Sequence, residues 1–121
     1  MQTNAEEISD DDYLYRRIEP KAVEEDGTLN SLAIYQRSGE DGASVDLERL
    51  TTPEKTMEQK PDFGLGRIRV GDVRRCGLVV QYDPKEDNSA HTLIIGKFSK
   101  KQRRDLAAAM ELLIKPTAPK F

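Results

Sequence analysis

Apolar residues along this chain of 121 residues occur in short runs, and the clearest of them lie between residues 78 and 98. Residues 78–82 read Leu-Val-Val-Gln-Tyr, and residues 92–98 read Thr-Leu-Ile-Ile-Gly-Lys-Phe. Short apolar runs that are rich in β-branched residues are typical of buried strands. The Asp, Pro, Asn and Ser residues between them are typical of a turn. The pattern therefore predicts two strands joined by a loop.

A helix is predicted directly after the second strand. Ser99 and Gln102 have the spacing of a capping box, in which each side chain bonds the backbone N–H group of the other residue. Four apolar residues then recur at helical spacing, namely Leu106, Met110, Leu113 and Ile114. Pro116 cannot continue a helix. We expect a helix from Ser99 to about residue 115, with its apolar face packed on the sheet.

Weaker patterns fill the rest of the chain. Alternation of apolar and polar residues predicts strands over residues 13–18 and 67–70, a short strand or the approach to a helix over 44–50, and a mostly buried strand over 29–36, where a helix is the alternative. Thr52 and Pro53 are typical of a helix start, so a short helix is expected near residues 53–60. We expect one more helical turn over 71–76. The glycine-rich residues 62–66 lack the spacing of a phosphate-binding loop and predict a flexible connection.

These elements together predict one small α+β domain. We expect a mixed or antiparallel sheet of about four to five strands that packs against the C-terminal helix. Residues 13–115 would form this domain, residues 1–12 a flexible acidic arm, and residues 116–121 a loose tail. A hydrophobic content of 36% allows a single core of modest size.

Charge is divided unevenly between the two halves of the chain. Residues 1–60 hold seven Lys and Arg against fifteen Asp and Glu, whereas residues 61–121 hold twelve against seven. The overall charge of −3 therefore combines an acidic half with a basic half. This asymmetry indicates a surface for a charged partner or for a second copy of the chain, so a homodimer is one expectation.

Cysteine content and hydropathy indicate a cytoplasmic protein. Cys76 is the single cysteine, which excludes an internal disulfide and a cysteine-based zinc site. No apolar run approaches the roughly 18 residues that span a bilayer. The first residues are acidic and polar, whereas a signal peptide begins with basic residues and continues into an apolar stretch. We expect no membrane association, no metal and no cofactor.

Five cations cluster where the second strand meets the C-terminal helix. This group, called here the basic junction, comprises Lys97, Lys100, Lys101, Arg103 and Arg104. Free N–H groups and the helix dipole make a helix N-terminus attractive to anions. Cations in the first helical turn are mildly unfavourable for the same dipole, so their presence there indicates a use. The basic junction is the predicted binding surface for a protein or nucleic acid with an anionic surface.

His91, the only histidine, suggests an alternative. A histidine near carboxylates such as Asp83 can act as a general base. Tyr15, Arg16 and Arg17 add aromatic and cationic groups that contact RNA or a nucleotide phosphate. Cys76 between Arg75 and Gly77 could pair with His91, although a buried core cysteine is the simpler interpretation.

Function is therefore predicted in two forms. The favoured one is a small cytosolic binding or regulatory module, not an enzyme, that engages a protein or nucleic-acid partner through the basic junction. The alternative is a small RNA- or nucleotide-directed enzyme, a nuclease or a transferase-type toxin, that uses His91 with Tyr15, Arg16 and Arg17.

Overall fold

Six strands and three helices make up the computed structural model, which describes residues 7–117. The strands are β1 (Tyr13–Ile18), β2 (Ala43–Leu47), β3 (Gly64–Arg69), β4 (Val79–Tyr82), β5 (His91–Ile95) and β6 (Glu111–Ile114). The helices are α1 (Pro53–Met57), α2 (Val70–Arg75) and α3 (Lys100–Ala109). The strands form one sheet in the order β4-β5-β2-β1-β3-β6, and each neighbouring pair is antiparallel. The α+β prediction is confirmed, with six strands in place of four to five.

The main core lies on one face of the sheet. Alternation along β1 directs Leu14 and Ile18 to this face, where both side chains are fully buried. Leu106 of α3 and Val73 of α2 belong to the same buried cluster. A smaller cluster on the opposite face contains Tyr15 with residues of α1 and β3. The second face, with a thinner apolar cover, carries the polar residues of the candidate site.

The C-terminal helix is shorter than its sequence pattern predicts. Ser99 and Gln102 form the expected capping box, but α3 ends at Ala109. Residues 111–114 extend as β6 and pair with β3. Pairing with β3 satisfies backbone groups of this segment in place of helical hydrogen bonds, so tertiary contacts outweigh its helical periodicity.

The glycine-rich segment is part of the sheet, contrary to the flexible connection predicted for it. Gly64 and Gly66 both lie in β3. A Cβ atom at Gly64 would lie 2.5 Å from the carbonyl oxygen of Ile114, and one at Gly66 would lie 2.5 Å from Met110 Sδ. At Gly64 the neighbouring backbone approaches too closely for a side chain, whereas the atoms that crowd Gly66 belong to side chains that can move.

The prediction of a strand over residues 29–36 is wrong. Residues 31–34 form turns, although Ala33 and Ile34 are buried in the main core. The apolar residues in this stretch therefore mark a loop that is anchored through its side chains. Helical turns are confirmed close to the ranges expected for α1 and α2, as are strands β4 and β5.

The predicted arm and tail lie partly outside the described residues. The described end of the arm contacts the domain: Ile8 is buried, and the backbone N–H of Val70 donates to the carbonyl of Asp12 over 2.8 Å. Three consecutive carboxylates each meet an arginine, in the pairs Asp10–Arg74 at 2.6 Å, Asp11–Arg69 at 2.9 Å and Asp12–Arg49 at 2.9 Å. Residues 8–12 thus contact α2, the end of β3 and the turn after β2.

Candidate functional site

A row of polar side chains crosses three neighbouring strands on the face opposite the main core. Tyr15 of β1 pairs with Asp46 of β2, and Asp46 pairs with His91 of β5. Because paired residues in a sheet share a face, the three lie side by side. Arg17 and Ser44 are two positions from Tyr15 and Asp46, so strand alternation places them on this face as well.

His91 is held between a carboxylate and a hydroxyl. Its Nδ1 atom lies 3.0 Å from the backbone carbonyl oxygen of Asp83 and 3.0 Å from Asp83 Oδ2. Both oxygens can only accept, so Nδ1 must carry the proton. In the neutral ring Nε2 is then an acceptor, and it lies 3.2 Å from Ser44 Oγ. The hydroxyl of Ser44 therefore donates to His91, and His91 donates to Asp83.

The loop between β4 and β5 positions Asp83 and His91. Asp83 follows the last residue of β4, and its backbone N–H donates to the carbonyl of His91 over 3.0 Å. Asn88 turns the chain and donates from Nδ2 to Asp46 Oδ1 over 2.9 Å. The Asp and Asn residues that predicted a turn do form it, and they also hold the loop against β2.

A cleft opens beside His91. It consists of two adjoining cavities of about 110 and 200 Å³ that share Arg17, Asp46, Thr56, Asn88 and His91. The first of these cavities is also lined by Tyr15 and Ser44. These two cavities are called the His91 cleft below.

Two side chains of the cleft, Arg17 and Asp46, form hydrogen bonds with α1. Arg17 Nη1 donates to the carbonyl of Thr56 over 3.3 Å, which leaves most of its guanidinium N–H groups available. Asp46 Oδ2 accepts from the hydroxyl of Thr56 over 2.8 Å. Asn88 donates a hydrogen bond to the other carboxylate oxygen of Asp46. The Asp46 carboxylate therefore connects α1 to the β4–β5 loop, and both of its oxygens are used in holding these walls of the cleft together.

Tyr15 can donate a hydrogen bond but is a poor base. Burial raises the pKa of its phenol, and the nearby Glu48 carboxylate raises this pKa further. The group therefore stays protonated at neutral pH. Glu48 itself is paired with Arg67, whose Nε lies 2.7 Å from Glu48 Oε2.

The structure separates the four residues of the predicted catalytic group into two places. Tyr15, Arg17 and His91 line the His91 cleft together. Arg16 points to the other face of β1, where Nε donates to the carbonyl of Ala33 over 3.3 Å and Nη1 to the carbonyl of Ser44 over 2.8 Å. Arg16 thus supports the backbone of Ser44 from behind.

The basic junction lies apart from the His91 cleft, since none of its five residues lines it. Lys101 is paired with Asp105 at 2.7 Å, and Arg103 Nε donates to the carbonyl of Phe98 over 3.1 Å. The side chains of Lys97, Lys100 and Arg104 are exposed and form no ion pair with the described residues.

Cys76 is a poor candidate for a reactive thiol. Burial raises its pKa, and the carboxylates of Asp105 and Asp72 raise it further. Its side chain packs against the main core, and Cys76 is not among the residues that line the His91 cleft. The pairing of Cys76 with His91 that the sequence allowed therefore receives no support.

Ser44 was not singled out by the sequence. A serine in a short alternating strand does not by itself indicate a functional site. Ser44 and His91 are 47 residues apart in the sequence, and their contact depends on the pairing of β2 with β5. Asp83 was visible as a carboxylate near His91. Within residues 7–117, no group of three or more His, Cys, Asp or Glu side chains is placed to hold a metal ion.

Comparison with protein-family models, with curated proteins and with solved structures found no match. In the described part of the chain, no helix has the length and apolar character needed to cross a membrane.

Proposed function

We propose that the protein is a small enzyme acting on RNA or a nucleotide, with His91 as its general acid and base. One observation carries the proposal: the hydrogen-bonded series Ser44–His91–Asp83 opens onto a cleft that Arg17 also lines. A hydroxyl, an imidazole and an orienting carboxylate in this order are the elements of nucleophilic catalysis.

The proton positions determine what His91 can do. With its Nδ1 proton directed to Asp83, Nε2 can take the proton of Ser44 or of a substrate hydroxyl in its place. The resulting imidazolium is stabilised by the Asp83 carboxylate 3.0 Å away. The same nitrogen can then return the proton to a leaving oxygen.

The guanidinium of Arg17 favours a phosphate-bearing substrate for this site, although the three cations of the cleft are matched in number by its three carboxylates. Arg17 borders both cavities of the His91 cleft and keeps free N–H groups, which suit the oxygens of a phosphate. Positive charge placed in advance beside a reacting phosphate stabilises the charge that develops in the transition state. Tyr15 also lines this cleft.

The test is turnover by purified protein. RNA oligonucleotides and common nucleoside phosphates are incubated with the wild-type protein, and the products are separated by liquid chromatography and identified by mass spectrometry. We expect one substrate class to be converted and His91→Gln to slow the reaction by about 10²- to 10⁴-fold, the usual contribution of acid–base catalysis.

Two controls make this test decisive. Ser89→Ala alters an exposed serine of the β4–β5 loop outside the proposed machinery, and we expect it to retain the wild-type rate. Thermal unfolding of His91→Gln checks that the fold is intact. If the wild-type protein converts none of these substrates, or if His91→Gln is equally fast, the proposal is wrong.

A second function, binding of an anionic partner at the basic junction, is favoured by a separate observation. Lys97, Lys100 and Arg104 are exposed and have no carboxylate partner among the described residues. Unpaired cations near one helix end attract RNA or an acidic protein surface. This function is compatible with catalysis at His91, because the two surfaces share no residue.

A further inference from the structure

A third cavity, of about 120 Å³, adjoins the His91 cleft, and Arg17 and Ser44 line both. The charged side chains around it, called here the cationic cavity, are Arg16, Arg17, Arg37, Lys60, Glu19 and Glu40. Four cations against two carboxylates leave a formal excess of two positive charges. A cavity with this balance attracts anions.

Arg16 lies in an unusual environment for a cation. Its guanidinium makes two hydrogen bonds, both to neutral backbone carbonyls, although it carries five N–H groups. No carboxylate of the described residues forms an ion pair with it. Burial, together with the positive charge of Arg37, lowers the pKa of Arg16 to about 10. Arg16 is half-buried and feels the charge of Glu19 without an ion pair to it, so a bound anion would offset the cost of its desolvation.

The carboxylates of the cavity do not cancel this charge. Glu19 is divided among three partners: Arg37 at 2.9 Å, Lys21 at 3.7 Å, and the hydroxyl of Tyr35, which donates over 3.2 Å. Lys60 forms no ion pair with a described residue, and its Nζ lies 5.4 Å from the ring centre of Phe63. Arg16 and Lys60 therefore remain available to a ligand.

We propose that the cationic cavity binds a phosphate group of a nucleoside phosphate, whose other end reaches Ser44 and His91. The position of the reacting end rests on the proposed function, whereas phosphate binding in the cavity does not. Guanidinium groups match the oxygens of phosphate in pairs, and a phosphate dianion balances the excess of two charges. Phe63 adds an apolar wall to the same cavity.

The test is isothermal titration calorimetry with three probes: inorganic phosphate, adenosine 5′-monophosphate and adenosine. We expect the two phosphate-bearing probes to bind and adenosine to bind at least tenfold more weakly. Lys60→Gln and Arg37→Gln should each weaken binding of the monophosphate roughly tenfold, as expected for loss of a charge-assisted hydrogen bond. Lys115→Gln, which removes one charge from an exposed site outside the cavity, should leave affinity unchanged.

Each further result has a defined meaning. Equal affinity for adenosine and its monophosphate, absence of binding by both phosphate probes, or equal weakening by Lys115→Gln would overturn the cavity as a phosphate site. If the wild-type protein binds phosphate normally but converts no substrate, the phosphate site is supported and the proposed enzyme is rejected. If it converts a substrate but binds neither phosphate probe, the enzyme is supported and the phosphate site is rejected.

Discussion

The tautomer of His91 is determined by its neighbours on one side of the ring. Two acceptor oxygens of Asp83 fix the proton on Nδ1, and this leaves Nε2 to accept from Ser44. A histidine without such neighbours would exchange its proton between the two nitrogens. Fixed tautomer and fixed orientation are what distinguish this histidine from one that merely fills space.

Replacement of Ser44 tests whether its hydroxyl is the nucleophile. We expect Ser44→Ala to lower turnover by about 10²-fold or more, because Nε2 would lose the hydroxyl that it activates. The rate is measured on the substrate that the turnover screen identifies. Unchanged turnover in Ser44→Ala would show that Ser44 is not the nucleophile.

At the residue scale, the sequence could identify chemistry but not neighbours. His91, Tyr15 and Arg17 were selected because their side chains are suited to acid–base and phosphate chemistry, and they do line one cleft. Ser44 could not be selected, because its proximity to His91 arises from strand register between distant segments. Arg16 was grouped with Arg17 by adjacency, although consecutive strand residues face opposite sides of a sheet.

At the scale of elements, residues 7–12 are the described end of the predicted arm, and they connect α2 to the turn after β2. This connection is called the clamp below. Asp12 bonds Arg49, and its backbone carbonyl accepts from the first residue of α2. Burial of Asp12 opposes ionisation, but the hydrogen bonds from Arg49 and the backbone of Ser9 outweigh it and hold its pKa below 3.8, the usual value. The clamp is therefore strongest when Asp12 is ionised.

This clamp predicts a loss of stability in acid. Because the folded-state pKa of Asp12 is lowered, its contribution is complete above the unfolded-state value of 3.8 and disappears as pH falls below it. We expect Asp12→Asn to cost up to about 1 kcal/mol at pH 7, since the pair is partly exposed. The difference between variant and wild type, measured by urea unfolding, should shrink between pH 4 and pH 3; a difference that is constant across this range would contradict the assignment.

The end of α3 shows that the sequence pattern within a helix is not sufficient to predict where the helix ends. The capping box was predictable because both of its partners lie within four residues. The end of the helix was not, since residues 111–114 have apolar residues at helical spacing but satisfy their backbone by pairing with β3. The place of Gly64 and Gly66 in a strand is not predictable for the same reason, because most of the atoms that crowd them come from residues 110–116.

At the scale of the whole molecule, part of the charge asymmetry is neutralised internally. The acidic half meets the basic half in the pairs Asp10–Arg74, Asp11–Arg69 and Glu48–Arg67. The sequence suggested either a charged partner or self-complementarity, and these pairs account for three arginines of the second half. The cations of the basic junction take no part in these three pairs.

Salt dependence tests whether the basic junction binds nucleic acid. A labelled single-stranded RNA is titrated at several salt concentrations, and affinity is followed by fluorescence anisotropy. We expect Lys100→Glu with Arg104→Glu to weaken binding and to flatten the slope of log affinity against log salt by roughly 1.4, about 0.7 for each lost phosphate contact.

The matched control reverses two lysines outside the junction, Lys21→Glu with Lys115→Glu, and changes net charge equally. An identical loss of affinity in both double variants would show that overall charge, and not the junction, governs binding.

Ser44 joins the two halves of the candidate site through different atoms. Its carbonyl accepts from Arg16 at the cationic cavity, and its hydroxyl meets His91 in the cleft. We therefore expect the surroundings of the imidazole to change when a phosphate binds in the cationic cavity. Since His91 is the only histidine in the chain, its two ring C–H resonances can be followed by proton NMR without isotopic labelling or assignment, and they give a direct spectroscopic signal of what occupies the neighbouring cavity.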